Sequence, residues 1–349
     1  MEKKLNFKDG LWSKEINVGN FVRENITPYE GDASFLVGPT ERTKKVWGVC
    51  LKALEEERAN NGVRALDNKT VSTISSHKAG YIDRENELIV GLQTDELLKR
   101  AIKPFGGIKV VEKACHENGV EVDEKVKDIF YHYRKTHNDG VFDAYTEEIR
   151  MYRSLGFLTG LPDNYARGRI IGDYRRLALY GLDRLIEAKK ADLKGLVSPM
   201  TEHTIRLREE VAEQIKALNE IKILGEYYGL DLSRPATSAQ EAVQWTYMAY
   251  LAAVKEQDGA AMSLGNVSSF LDIYIQYDLD NGNIDETFAQ ELIDQFVIKL
   301  RMVRHLRMQS YNDLFAGDPT WVTEAIGGRF NDGRTGYRYQ GMKKRYRVT

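Results

Sequence analysis

Apolar residues recur at spacings of three and four over most of the chain, so the pattern predicts a protein built mainly of helices. From Thr204 to Tyr228, "TIRLREEVAEQIKALNEIKILGEYY", the residues Ile205, Leu207, Val211, Ile215, Leu218 and Leu224 fall on one stripe, with charges opposite and Gly229 as the stop. This is an amphipathic helix laid on a core. After "SRPATSAQE", Ser238 and Glu241 have capping-box spacing, and a second helix continues through "AVQWTYMAYLAAVKEQ" to the break at "DGAAMSLG". Its apolar positions nearly encircle it, which predicts deep burial. Two weaker stripes, Trp47–Cys50–Leu51–Leu54 and Ile108–Val111–Cys115, place both cysteines on core-facing sides of helices.

Loops rich in glycine and polar residues separate these elements: "PYEGDASFLVGPT", "KPFGGIK", "THNDGVFDAYT", "GLPDNYARGR", "DGAAMSLGNVS" and "FAGDPTWVTEAIGG". Glycine lets a backbone approach a ligand closely, and sites gather where such loops converge on a scaffold. No proline-rich or serine-rich linker divides the chain, and no repeat has the length of a solenoid unit. One domain is expected, with a helical N-terminal subregion up to about Gly106.

With 349 residues and 42% hydrophobic content, the chain can bury a full core. Charged residues make up 29% and nearly cancel, leaving a net charge of −2, so no whole-chain field draws it to nucleic acid or to an anionic membrane. No apolar run approaches the ~20 residues of a membrane span, and "MEKKLNFKDG" has no apolar stretch behind its charges, so the chain reads as cytoplasmic. Two cysteines are too few for a disulfide framework and form no CxxC pair, and no metal site is expected. The end, "RTGYRYQGMKKRYRVT", carries six basic residues and no acid. It fits a disordered end, a reading-frame slip or a basic aromatic patch for nucleic acid, the first two being favoured.

"RGRIIGDYRR" packs four arginines into ten residues, Arg167, Arg169, Arg175 and Arg176. Gly168 and Gly172 do not make a G-x-G-x-x-G fingerprint, and no strand pattern precedes them, so a dinucleotide loop is excluded. Ile170, Tyr174, Leu177 and Gly181 follow helical spacing, which sets Arg169 near a helix N-terminus. A guanidinium fork beside unpaired N–H groups suits a carboxylate. Pairing with local acids such as Asp163 and Asp173 suits the same residues, and the chemistry of the segment leaves both open.

Longer stretches resemble a known family. "TPYEGDASFLVGPTERT", "AGYIDRENELIVGLQT", "LLKRAIKPFGGIKVVE", "YRKTHNDGVFDAYT", "LTGLPDNYARGRIIGDYRRLALYG", "QEAVQWTYMAYLAAVKEQDGAAMSLGNVSSFLDIY" and "FAGDPTWVTEAIGG" are similar to pyruvate formate-lyase, a glycyl radical enzyme, in family order from about Leu11 to Gly328. The resemblance implies an α/β fold: the helix-rich N-terminal half of a ten-stranded barrel, incomplete in this chain. It divides the chain into residues 1–328, the family-like part, and 329–349, a divergent basic tail. The implied activity is formate C-acetyltransferase, an acyltransferase that turns pyruvate and coenzyme A into formate and acetyl-CoA in anaerobic glucose fermentation. The resemblance also implies a homodimer, and a glycyl radical installed by an iron–sulfur, radical-SAM activating enzyme in full-length members.

Residue by residue, the resemblance assigns Arg169 to the pyruvate carboxylate, Ala260 and Trp321 to the pocket wall, and Phe142, with His77 and Arg153 as weaker candidates, to coenzyme A. The chain departs from the family in having Ala166 where glycine is usual, no adjacent cysteine pair and no glycyl loop, so Cys50 and Cys115 inherit no catalytic role. It is therefore expected to hold no catalytic residue or cofactor of its own and to be inactive alone. The alternatives are a non-catalytic remnant or subunit-binding fragment, and a relative that cleaves 2-ketobutyrate.

Overall fold

The computed structural model describes residues 5–27, 34, 37–103, 107–133, 145–158, 172–256, 262–304, 306–310, 322 and 324. In chain order these form α1 (Leu11–Lys14), α2 (Val18–Asn25), α3 (Glu41–Ala59), β1 (Ala65–Val71), β2 (Lys99–Ile102), α4 (Gly107–Glu117) and α5 (Glu124–Asp128). There follow α6 (Glu147–Ser154), α7 (Arg175–Gly195), α8 (Glu202–Tyr227), α9 (Ala239–Glu256), α10 (Ser268–Asp280) and α11 (Glu286–Arg301). The architecture is α/β and rich in helix. Among the described residues the sheet consists of β1 and β2, which run parallel.

Helix α9 is the centre of the molecule. Its buried residues include Ala242, Val243, Trp245, Tyr247, Met248, Tyr250, Leu251 and Val254, which leaves no face for water, as its all-round apolar pattern requires. α7, α10 and α11 pack around it. Ser238 caps it by accepting the N–H of Glu241 at 3.2 Å. The reciprocal half of the capping box is absent, because the Glu241 carboxylate is held instead by Arg234 at 2.6 and 2.7 Å and by the N–H of Thr237 at 2.8 Å.

The long amphipathic helix α8 forms almost where its period places it, but only Val211, Leu224 and Gly225 are buried on it. Ile215 and Leu218 rest on the core half-buried, while Ile205 is 45% exposed, so the stripe meets the core through its second part alone.

Two further expectations change. α7 starts at Arg175, with Tyr174 as N-cap and Gly172 and Asp173 outside the helix, so among the described residues the helix begins after the first members of the periodic series. Gly181, counted in that series, has φ 69° and ψ 164° and breaks the helix. There the 232–236 segment passes so close that a Cβ on Gly181 would sit 2.4 Å from the Arg234 carbonyl carbon. The break frees amides for that segment: Leu182 N–H donates to Leu232 O at 2.9 Å, and Asp183 N–H to Ser233 O at 3.1 Å. In α3 the buried face is Thr43, Val46, Cys50, Ala53 and Glu57. Leu51, expected on it, is 44% exposed, since the face turns toward Leu92, Leu97 and Leu98 before β2 and toward Ile298 of α11 rather than toward the Leu51 side. Both cysteines are buried as expected.

Glu57 carries the charge that ties this layer together. It accepts from Arg304 Nε at 3.0 and 3.1 Å and from Arg100 at 3.1 Å, joining α3 to β2 and to the chain after α11. All three side chains are buried.

Candidate functional site

Parallel strands present their carboxyl ends to one side, where ligands of α/β proteins commonly bind. β1 and β2 pair in register from Ala65–Lys99 to Asp67–Ala101 and resume at Val71–Ile102, so β1 carries an irregularity after Asp67. The turn that follows β1 docks on the end of α9: Ser72 Oγ donates to Lys255 O at 2.7 Å, and Ile74 N–H to Glu256 at 3.2 Å. From the end of β2, Lys103 donates to Val254 O. Lys255 turns inward to Gln93 O at 2.9 Å, and burial together with the neighbouring Lys103 pushes its ammonium down to about 7. A buried lysine on an otherwise apolar helix was visible in "YLAAVKEQ", but its partners were not.

A second junction forms on the other side of residues 257–261. Gly265 and Glu324 form a parallel bridge, and the Glu324 carboxylate accepts the N–H groups of Val267 at 3.1 Å and Ser268 at 2.9 Å, closing the start of α10. Arg175 donates to Asn266 O at 3.1 Å and to Asp173 at 2.7 Å. Burial raises the Glu324 carboxyl to about 7 against the two amides and Arg175. Nearby, Tyr174 meets Tyr250 of α9 edge to face, ring centres 5.5 Å apart. Asp173 also lies 3.5 Å from Arg176, so these two arginines pair with a local acid.

Arg169, Ala260, Trp321 and Phe142 lie outside the described residues. The flanks of three of them are joined by the second junction: Arg169 is six positions before Arg175, Ala260 five before Gly265 and Trp321 three before Glu324. His77 is buried, with Nε2 3.0 Å from Asp67 Oδ2 and Nδ1 2.8 Å from Ser76 Oγ. Arg153 lies on α6, its guanidinium 5.4 Å from the ring centre of Tyr145. The two coenzyme A candidates among the described residues, His77 and Arg153, therefore belong to different elements, one on the turn after β1 and one on α6. Among the described residues no cluster of His, Cys, Asp and Glu could hold a metal ion, and no helix is long and apolar enough to cross a membrane.

A family model described as pyruvate formate lyase-like matches residues 11–338. The chain belongs to that family. It is 56% identical over 334 residues to the formate acetyltransferase of Haemophilus influenzae, which covers 94% of this chain and 43% of the relative. The chain thus spans less than half the length of that relative and corresponds to an N-terminal portion of a pyruvate formate-lyase. The fold is also that of a glycerol-bound, B12-independent glycerol dehydratase from Clostridium butyricum, with TM-score 0.64 and 19% identity, covering 90% of this chain and 46% of the other. A hydroxyproline dehydratase from Clostridioides difficile aligns with TM-score 0.60 and 16% identity over 86% of this chain and 45% of its own. The architecture is accordingly the helix-rich N-terminal part of the glycyl-radical-enzyme barrel.

Proposed function

We propose that this chain supplies the substrate-binding part of a formate acetyltransferase: Arg169 for the pyruvate carboxylate, Ala260 and Trp321 for the pocket wall, and Phe142, His77 and Arg153 for coenzyme A. The observation that carries this reading is the junction of Arg175, Asn266, Glu324 and Ser268, which ties together the flanks of three sequence segments that are far apart in the chain. At no more than ~3.6 Å per residue, Arg169, Ala260 and Trp321 are each within reach of that junction. Arg175 and Arg176 are occupied by Asp173; of the other two arginines, Arg167 and Arg169, the family resemblance assigns Arg169 to the substrate.

The sequence has no adjacent cysteine pair, its cysteines being Cys50 and Cys115. The radical chemistry of the family would be supplied by a partner polypeptide or a joined remainder that carries those cysteines and the glycyl loop. What this chain does is bind and orient: a bidentate guanidinium fixes the 2-oxo acid by its carboxylate, and an apolar wall excludes water around the carbonyl.

The test joins residues 1–328 to the C-terminal part of a family member. kcat/KM for pyruvate should fall in the order Arg169, Arg169→Lys, Arg169→Ala, with the alanine variant at least about tenfold down, since a charge-assisted hydrogen bond contributes about 1.5–3 kcal/mol. Coenzyme A affinity should stay unchanged. Equal losses for Arg169→Ala, Arg175→Ala and Arg176→Ala would make all three scaffold and defeat the assignment. The unjoined chain should produce no formate from pyruvate.

A further inference from the structure

Asp67, the third residue of β1, and His77 and Ser76 of the turn after it lie in one hydrogen-bonded line, carboxylate to imidazole at 3.0 Å and imidazole to hydroxyl at 2.8 Å. The acid is fixed from behind. Asp67 Oδ1 accepts the N–H of Lys69 at 2.9 Å and of Thr70 at 3.1 Å, both made available where the β1–β2 register slips. Burial alone would raise this carboxyl, but the hydrogen bonds from His77, Lys69 and Thr70 outweigh it and hold Asp67 well below the usual carboxylate range. An ionised carboxylate only accepts, so in the neutral ring the hydrogen sits on Nε2 and Nδ1 offers its lone pair to Ser76.

The Ser76 hydroxyl has two acceptors in reach, His77 Nδ1 and Thr73 O at 3.0 Å, while its oxygen also accepts the Thr73 N–H at 3.0 Å. With the ring neutral, the hydroxyl hydrogen points to Nδ1. With a proton added at Nδ1, the ring donates to Ser76 Oγ and the hydroxyl hydrogen turns to Thr73 O. Both arrangements leave Asp67, His77 and Ser76 hydrogen-bonded. His77 is 7% exposed and both its nitrogens are taken, whereas Ser76 is half-buried, so a ligand would meet the hydroxyl and not the ring. Asp95, paired with Lys99 at 2.9 Å, is a further charge within electrostatic reach of the ring.

We propose that Asp67 is a positioning residue that locks His77 as the Nε2–H tautomer, and that Ser76 and His77 together accept a proton from a thiol or alcohol group of a bound ligand. The ligand S–H or O–H gives its proton to Ser76 Oγ as the Ser76 hydrogen passes to Nδ1. A thiolate or alkoxide, an intact serine and an imidazolium paired with Asp67 result, and no oxidant or reductant is needed. The identity of that ligand as coenzyme A rests on the function proposed above; the relay itself does not.

The experiment uses the whole chain with 15N-labelled histidine, the His77 signals being identified by their loss in His77→Gln. At pH 8 the ring should show a hydrogen on Nε2 and a hydrogen-bonded lone pair on Nδ1. In Asp67→Asn the amide oxygen stays with the Lys69 and Thr70 donors and the NH2 group faces Nε2, so the tautomer should flip to Nδ1–H, the effect such a substitution has in serine-protease triads. Asp67→Glu, which keeps the charge, should retain the original tautomer. Ser76→Ala should keep the hydrogen on Nε2 while shifting Nδ1. An Nδ1–H tautomer in the starting chain, or no flip in a folded Asp67→Asn variant, overturns the relay. Added coenzyme A should perturb Nδ1 in the starting chain and not in Ser76→Ala; no response would overturn coenzyme A as the ligand, leaving the tautomer result to decide the relay.

Discussion

The carboxylate of Glu324 accepts the backbone N–H of Ser268 at 2.9 Å, across 56 positions of sequence, and so caps α10 from outside the helix. A helix start leaves donors without intrahelical partners, and an acid there gains from both the hydrogen bonds and the helix dipole. Burial works the other way and lifts the carboxyl to about 7 from an ordinary 4.5.

That shift fixes a pH dependence. The folded state holds the Glu324 proton more tightly than the unfolded state, so stability falls as pH rises from about 4.5 to about 7 and stays lower above. The difference is on the order of 3 kcal/mol. Glu324→Gln keeps an acceptor for the α10 amides and removes the titration. Urea unfolding should find the variant more stable than the parent at pH 8 and nearly equal to it at pH 5; parallel pH profiles would contradict this.

Gly181 allows no side chain. Its φ of 69° and the backbone of Ser233 and Arg234 within 2.4–2.7 Å of a built Cβ leave no room to relax. Gly181→Ala should cost at least about 3 kcal/mol, from strain and from displacement of the 232–236 segment. Gly195→Ala, which meets nothing within 4 Å, should leave the melting temperature unchanged or slightly raised. Calorimetry on the two variants distinguishes them.

The Glu57 carboxylate accepts hydrogen bonds from both Arg100 and Arg304. Glu57→Gln leaves two buried guanidinium groups facing a neutral amide and should lower stability by about 3–5 kcal/mol. Glu56→Gln, one position away and only partly buried in its pair with Arg64 at 2.6 Å, should shift the denaturation midpoint far less. If both variants unfold at the parental midpoint, the buried cluster contributes nothing.

Neither cysteine has the environment of a nucleophile. Burial pushes the Cys50 thiol up to about 12 and the Cys115 thiol up to about 11, so thiolate is scarce near neutrality. A disulfide reagent at pH 8 should modify the folded chain at least tenfold more slowly than the chain in denaturant. Rapid labelling of either residue in the folded protein would count against the packing of α3 or α4.

The sequence by itself determined the helices whose period and caps are local. α8 needed only its apolar stripe and the Gly229 stop, and α9 only Ser238 and an all-round apolar surface, because a 3.6-residue repeat and an adjacent capping or stop residue are written within a few positions of each other. The burial of Cys115 beside Val111 was legible for the same reason. Family likeness of long segments supplied the residues proposed for substrate. Tertiary structure decided what depends on partners far away in the chain. Gly181 fits the stripe of α7, yet it breaks the helix because a segment 50 residues on passes through its space. Leu51 lies outside because the chain before β2, at Leu92, Leu97 and Leu98, and α11 set which side of α3 is covered. Glu324 and the Asp67–His77–Ser76 line had no periodic mark at all: each is an ordinary polar residue until a fold removes water and sets donors at its oxygens, and that desolvation is what gives the groups their chemistry.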